Sequence, residues 1–326
     1  MTESGPVLVV DELRCRFFAD GEEVRAVDGV SFALERGKTL GLVGESGSGK
    51  SVTSLAILRL LDERMASLEG SVRLAGKELL ALDESEMRKV RGKKIAMIFQ
   101  DPMTSLNPFL KISRQLSEVL EVHEGLSHRE ARRRATEMLE RVGIGDAGRR
   151  IDQYPHQFSG GMRQRVMIAM ALLCRPEVLI ADEPTTALDV TIQAQILALV
   201  KELGKDLGTA VLFITHDLGV IAGLADDVAV MYAGRIVERG TTDDVFERPQ
   251  HPYTRGLMRS VPRIEQEGPL VAIPGMPPSA ARLPSGCAFH PRCEEAQASC
   301  REQVPSLLAL GERHAVRCPF AEGLRG

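Results

Sequence analysis

The 326-residue sequence contains no apolar run long enough to cross a bilayer. Its longest, Val166 to Cys174, is bracketed by Arg165 and Arg175, whereas a spanning helix needs about 20 apolar residues. Neither charge is in excess. Lys and Arg total 41 against 45 Asp and Glu, a net −4 with a pI near 6.0, which gives no general pull toward nucleic acid or anionic lipid. Local basic clusters such as Arg132-Arg133-Arg134 read as a solvated helix face, on a helix that opens at Ser127 with Glu130 in capping-box spacing. The first residues are polar and acidic and lack the pattern of a secretory signal. There is no internal repeat and no long heptad run. These absences predict a soluble, cytoplasmic protein whose membrane association must come through a partner.

The length allows two domains and a sizeable core. Short β-type runs alternate with helical ones, which predicts an α/β fold on a mainly parallel sheet. Glu177–Ala181 and Val211–Thr215 are apolar on both faces, as central parallel strands are. From about 100 to 171 the chain turns helical and charge-rich, the mark of an inserted helical subdomain. Residues 256–326 hold nine of the 17 prolines and four of the six cysteines. That stretch is too proline-dense for a regular domain and is expected to need a covalent or metal staple.

The segment Gly44-Glu45-Ser46-Gly47-Ser48-Gly49-Lys50-Ser51 follows the apolar run Thr39–Val43 and precedes a helical one. This strand–loop–helix context is what a phosphate-binding loop requires. Glycines let backbone N–H groups turn inward around phosphate oxygens, and the helix dipole adds attraction. Lys50 would reach the β- and γ-phosphates and Ser51 would ligate Mg²⁺, so a nucleoside triphosphate is the expected ligand.

A second element, Val178–Pro184, ends a buried strand in Asp182, placed to hold Mg²⁺, and Glu183, placed to polarise an attacking water. The same acidic pair could equally cap a helix that starts at Pro184. The third element is Phe158-Ser159-Gly160-Gly161-Met162-Arg163-Gln164-Arg165, a Ser-Gly-Gly turn opening an apolar helix. It would be a second anion-binding site in one chain. One nucleotide does not need two, unless each protomer lends one to its neighbour.

This combination resembles the ATP-binding cassette (ABC) proteins, whose cassettes pair head to tail. The resemblance covers about residues 7–255 and implies an ABC-type P-loop NTPase core with an antiparallel β edge and an inserted helical subdomain. Ser159, Gly160 and Gly161 would then contact ATP held by the partner's phosphate loop. Met162 stands where the commoner motif has Gln, which removes a polar contact and leaves the backbone donors. Gln100 matches the Q-loop glutamine that contacts Mg²⁺ or water, Ala187-Leu188-Asp189 the D-loop, and His216 the switch histidine. Phe17, with Phe18 as alternative, is placed to stack on adenine.

Gln100–Pro108, Tyr154–Met162 and His251-Pro252-Tyr253-Thr254 resemble the ATPase subunits of dipeptide and oligopeptide importers, a group that includes nickel and glutathione systems. The resemblance implies two transmembrane permease subunits, a second and different ATPase subunit, and an extracytoplasmic peptide-binding protein. It places the chain peripherally on the cytoplasmic face of the inner membrane, and does not identify the cargo. Nickel or another small solute is the alternative cargo. A soluble ABC ATPase acting on nucleic acid or ribosomes is the rival, disfavoured by the single cassette and negative charge. The domains are then 1–255, the cassette, and 256–326, a C-terminal extension.

Cys287, Cys293, Cys300 and Cys318 lie in that extension. In a cytoplasmic protein clustered cysteines bind metal more often than they form disulfides. Four thiolates suit a cubane cluster or Zn²⁺, although the close C-x-x-C pair usual for zinc is missing. Similarity to the tails of peptide-importer ATPases implies a 4Fe–4S cluster. Cys15 and Cys174 read as core residues, and His290 and His314 as exposed loop histidines, with a ligand role at the cysteine site as the alternative.

Overall fold

The computed structural model describes residues 5–19, 22–100, 105–186, 188–260 and 272–322. Asp101 to Thr104 of the segment after Gln100, and Ala187 of the expected D-loop, lie outside them. In chain order the first elements are β1 (Pro6–Ala19), β2 (Glu22–Glu35), β3 (Thr39–Val43), α1 (Lys50–Ile57), β4 (Ala66–Leu74), β5 (Lys77–Glu78), α2 (Glu84–Val90) and β6 (Ile95–Ile98). Then follow α3 (Ile112–Glu124), α4 (His128–Arg141), α5 (Ala147–Arg150), α6 (Gly160–Leu172), β7 (Val178–Asp182), α7 (Val190–Leu207) and β8 (Ala210–Thr215). The last are α8 (Leu218–Ala222), β9 (Asp227–Tyr232), β10 (Arg235–Thr241), α9 (Thr242–Glu247), α10 (Pro252–Arg259), β11 (Leu308–Ala309) and β12 (Ala315–Val316).

Two compact units emerge. One comprises residues 1–7, 34–38 and 81–213. Its strands run in the order β8-β7-β6, with β6 and β7 parallel and Ile95 opposite Val178. Every residue of β7 and β8 is buried, which is why the sequence shows continuous apolar runs there. Helices α3 to α6 form the expected helical insertion. The Ser127 hydroxyl caps α4 by accepting the Glu130 N–H at 3.3 Å. The basic cluster on α4 is neutralised: Arg132 forks onto Asp152 at 2.7 and 2.8 Å, Arg133 pairs with Glu130 and Glu137, and Arg134 with Glu124.

The other unit comprises residues 8–33, 39–80 and 214–326. Strands β2-β1-β4-β5 form an antiparallel sheet, the expected β edge. A second run has the order β11-β12-β10-β9-β3, with β3 parallel to β9 and the rest antiparallel. The proline-rich tail therefore supplies two short strands to the sheet that carries the phosphate loop. Beyond the end of α10, its other regular pieces among the described residues are single 3₁₀ turns at His290–Arg292 and Ala298–Arg301. Cys15 and Cys174 are core residues, as expected, and burial pushes both thiols up to about 11. No helix among the described residues is long and apolar enough to cross a membrane.

Candidate functional site

Strand β3, buried throughout, delivers the chain to Gly44. Two glycines are obligatory for steric reasons. Gly44 has φ +155° and a Cβ there would lie 2.1 Å from the Met231 carbonyl oxygen; at Gly49, φ +103°, it would lie 2.3 Å from that of Ala26. Gly49 is the N-cap of α1, so the first helical N–H groups follow directly on the loop. Lys50 is buried, and its Nζ donates to the carbonyls of Gly44 at 2.7 Å and Glu45 at 3.1 Å. Ser46 and Gly47 are exposed at the tip, and Ser51 is half-buried on α1. The Ser48 hydroxyl is buried without a hydrogen-bond partner among the described residues. A phosphate oxygen would satisfy it.

Glu45 is held from the tail side. Its N–H donates to the Tyr253 hydroxyl at 2.9 Å, and its carboxylate receives both Arg292 Nη atoms at 2.7 and 3.0 Å. Sequence reading missed both partners. Tyr253 was visible only as part of the His-Pro-Tyr marker, and Arg292 only as a residue between Pro291 and Cys293. In the same unit, His216 follows β8 and is exposed, and Asp217 caps α8 through the Gly219 N–H at 2.8 Å. Phe17 is half-buried opposite Ala66, while Phe18 is 55% exposed.

In the other unit Asp182 is the last residue of β7 and is buried. Glu183 has φ +45°, a left-handed conformation that costs a non-glycine residue roughly 1–2 kcal/mol. Its Oε2 accepts from Gln100 Nε2 at 3.0 Å and from the Thr186 hydroxyl at 3.1 Å. The structure thus brings Gln100 and Glu183 together and adds Thr186, which the sequence had not singled out. Pro184 starts no helix. The next one, α7, begins at Val190 with the exposed Asp189 as its N-cap, so the helix-cap alternative for the acidic pair is overturned.

Ser159 is the N-cap of α6, its hydroxyl accepting the Met162 N–H at 3.3 Å. Ser159 and Gly160 are exposed, which leaves the N-terminus of this 13-residue helix open to an anion. A Cβ on Gly161 would lie 2.9 Å from Ile192, so glycine there permits the close packing of α6 on α7.

Cys287, Cys293, Cys300 and Cys318 are all half-buried and line one small cavity. Burial raises the thiols of Cys287 and Cys318 and lifts Cys293 to about 11. Among the described residues no three His, Cys, Asp or Glu side chains converge on a point that could hold one metal ion. Neither the expected cluster nor the alternative zinc has such a ligand group behind it among the described residues. The expectation of exposed loop histidines is corrected. His314 is buried, with Nε2 2.9 Å from the fully buried Glu238 carboxylate, and His290 is half-buried with Nδ1 2.9 Å from the Cys287 carbonyl. A buried carboxylate recruits a donor from the tail, a pairing invisible in sequence.

Residues 27–186 match the ABC transporter family, and residues 237–300 match the oligopeptide/dipeptide transporter C-terminal region. A Brucella abortus protein described as a peptide import ATP-binding protein is 54% identical, with 96% of each chain covered. The oligopeptide transport ATP-binding protein OppD of Bacillus subtilis is also 54% identical, over 95% of this chain and 88% of its own. Among solved structures, a dimeric post-hydrolysis state of the ATP-binding cassette MJ0796 bound to ADP and Pi superposes with a TM-score of 0.64 at 29% identity, covering 72% of this chain and 98% of that one. CbiO1 of Clostridium perfringens, part of an ABC transporter complex, gives 0.65 at 29% identity, covering 75% and 92%. With similarity at this level along nearly its whole length, the chain belongs to the ATP-binding subunits of the dipeptide and oligopeptide importer family of ABC transporters.

Proposed function

We propose that this chain powers the uptake of short peptides by hydrolysing ATP beneath a pair of membrane permeases. Family membership carries ATP, Mg²⁺ and hydrolysis with it, and a membrane transporter complex as the setting. The observation that carries the rest is the presence of two separate anion-binding ends on one chain: the phosphate loop at α1, and the exposed Ser159-Gly160 end of α6. Two such ends are used economically when two cassettes face each other and each ATP is held by one loop and the other chain's helix end.

In this reading Gly44 to Ser51 cradle the phosphates, with Lys50 neutralising their charge and Phe17 against adenine. Ser51, Asp182 and Gln100 serve Mg²⁺, directly or through water. Glu183 is the base for the attacking water, oriented through the Gln100 hydrogen bond, and His216 contacts the γ-phosphate. Ser159, Gly160, Gly161 and Asp189 act across the dimer seam. The cassette occupies 1–255 and the extension 256–326. Exposed Phe109, Leu110 and Val122 in the helical region supply apolar surface for a permease helix. The partner ATPase is a different subunit, an extracytoplasmic protein delivers the peptide, and the assembly sits on the cytoplasmic face of the membrane. Nucleic acid has no part in it.

The cysteine site is read as holding one 4Fe–4S cluster through Cys287, Cys293, Cys300 and Cys318. What supports this is the shared cavity and the four soft donors. The cluster would brace the tail. Anaerobically purified protein should carry about four irons and four sulfides per chain; stoichiometric zinc without iron would refute it.

The trans arrangement is tested with Ser159→Arg in a complex with a distinct partner ATPase. Site-resolved nucleotide crosslinking should show loss at the partner's phosphate loop and retention at Lys50. Loss confined to this chain's own loop would contradict the head-to-tail pairing.

A further inference from the structure

Arg292 is buried to within 5% of its side-chain surface, yet it belongs to a single turn, His290–Arg292, between two of the four tail cysteines. Its guanidinium is fixed on every side. Beyond the fork onto Glu45, Nε donates to the Pro274 carbonyl at 3.0 Å, Nη2 to that of Ile273 at 3.4 Å, and Nη1 to the Tyr232 hydroxyl at 3.4 Å. Its Cζ lies 5.9 Å from the Tyr232 ring centre and 6.0 Å from that of Phe289.

Glu45, the second residue of the phosphate loop, is consequently held at three points. Tyr253 takes its N–H, Lys50 its carbonyl, and Arg292 its carboxylate. Without Arg292, a carboxylate beside a loop built to receive phosphates would stand uncompensated. It would oppose the nucleotide's charge and be free to pull the loop toward solvent.

We propose that Arg292 is a positioning residue for ATP: by clamping and neutralising Glu45 it holds the phosphate loop in its nucleotide-binding form, and it ties that form to the cysteine-bearing turn. The turn itself is braced by the cysteines, with the His290 N–H donating to the Cys287 carbonyl at 3.0 Å and the Cys293 N–H to that of His290 at 3.3 Å. The inference rests on reading Gly44 to Ser51 as the ATP site.

The test uses the full chain, Mg²⁺ and a fluorescent non-hydrolysable ATP analogue. Arg292→Ala should weaken binding by about tenfold or more, the usual scale for stranding one partner of a buried charge pair. Adding Glu45→Gln to it should recover affinity to within about threefold of wild type, because the stranded charge is gone. In the assembled transporter Arg292→Ala should raise the KM for ATP and change kcat at saturating ATP by less than about twofold. A folded Arg292→Ala chain with wild-type affinity would overturn the proposal, as would a double variant as weak as the single, which would mark Arg292 as a tail anchor only. Should Arg292→Ala fail to fold, Arg292→Lys carries the test: it keeps the charge, loses the fork, and should bind about threefold more weakly, wild-type affinity again overturning the idea. A wild-type chain unable to bind the analogue would remove the site and this inference with it.

Discussion

Two glycines of the phosphate loop allow the cost of backbone crowding to be separated from the cost of backbone conformation. Gly47 and Gly49 both have positive φ, +79° and +103°. A Cβ at Gly47 would meet nothing within 4 Å, while one at Gly49 would sit 2.3 Å from the Ala26 carbonyl oxygen and 2.8 Å from Met231 Cε. Gly47→Ala should therefore cost only the left-handed penalty of roughly 1–2 kcal/mol. Gly49→Ala carries that penalty plus roughly 1–3 kcal/mol of overpacking against a backbone atom that no rotamer change can move aside. At about 2–4 °C per kcal/mol for a unit of this size, the Gly49→Ala transition should lie at least about 2 °C below that of Gly47→Ala. Differential scanning calorimetry of the two variants at one protein concentration makes the comparison. ATP affinity should fall in the same order, since relief requires the loop to shift. Equal transitions, or a lower one for Gly47→Ala, would refute the steric account of the loop.

Lys50→Ala should bind and hydrolyse ATP negligibly while keeping the fold, read by circular dichroism and phosphate release. With its partner ATPase present, Glu183→Gln should bind ATP and accumulate with that partner as a closed dimer on size-exclusion chromatography; wild-type turnover within the native complex would remove Glu183 as the base. His251 is buried and caps α10 by accepting the Tyr253 N–H, and burial, reinforced by Arg255 and Arg317, lowers it to about 3. The folded state then keeps the imidazole neutral while the unfolded chain takes up a proton near pH 6.5. Its stability contribution is complete above pH 6.5 and falls as the pH drops toward 3, by on the order of 4–5 kcal/mol. Urea midpoints should consequently decline less steeply over that window in His251→Asn than in wild type, and identical slopes would contradict the assignment.

Elements with a local signature were legible in the sequence. β3 was read at its observed bounds, Thr39–Val43, and β7 and β8 to within a residue or two, because a central parallel strand is apolar on both faces. Ser127 and Ser159 announced their helices because capping acts over three residues. What escaped was long-range and polar. Arg292 and Glu45 are 247 residues apart, and His314 and Glu238 are separated by 76. No periodicity links such pairs; they form only where the fold leaves a buried carboxylate and the tail happens to present a donor. The tail was expected to depend on a covalent or metal staple; what the described residues show at its attachment is the Arg292–Glu45 ion pair and the His314–Glu238 hydrogen bond. The Glu183 backbone strain was equally unreadable, since nothing in an Asp-Glu-Pro string fixes φ.

The central claim is that ATP hydrolysis by this chain serves a membrane importer of short peptides. Its most direct test is the ATPase rate of the chain alone, then with its permeases and partner ATPase in vesicles, then with the binding protein and a short peptide enclosed on the opposite side. The rate should be low in isolation, rise on assembly, and rise again with peptide. A rate that ignores the permeases and peptide and responds to RNA or ribosomes would contradict the account.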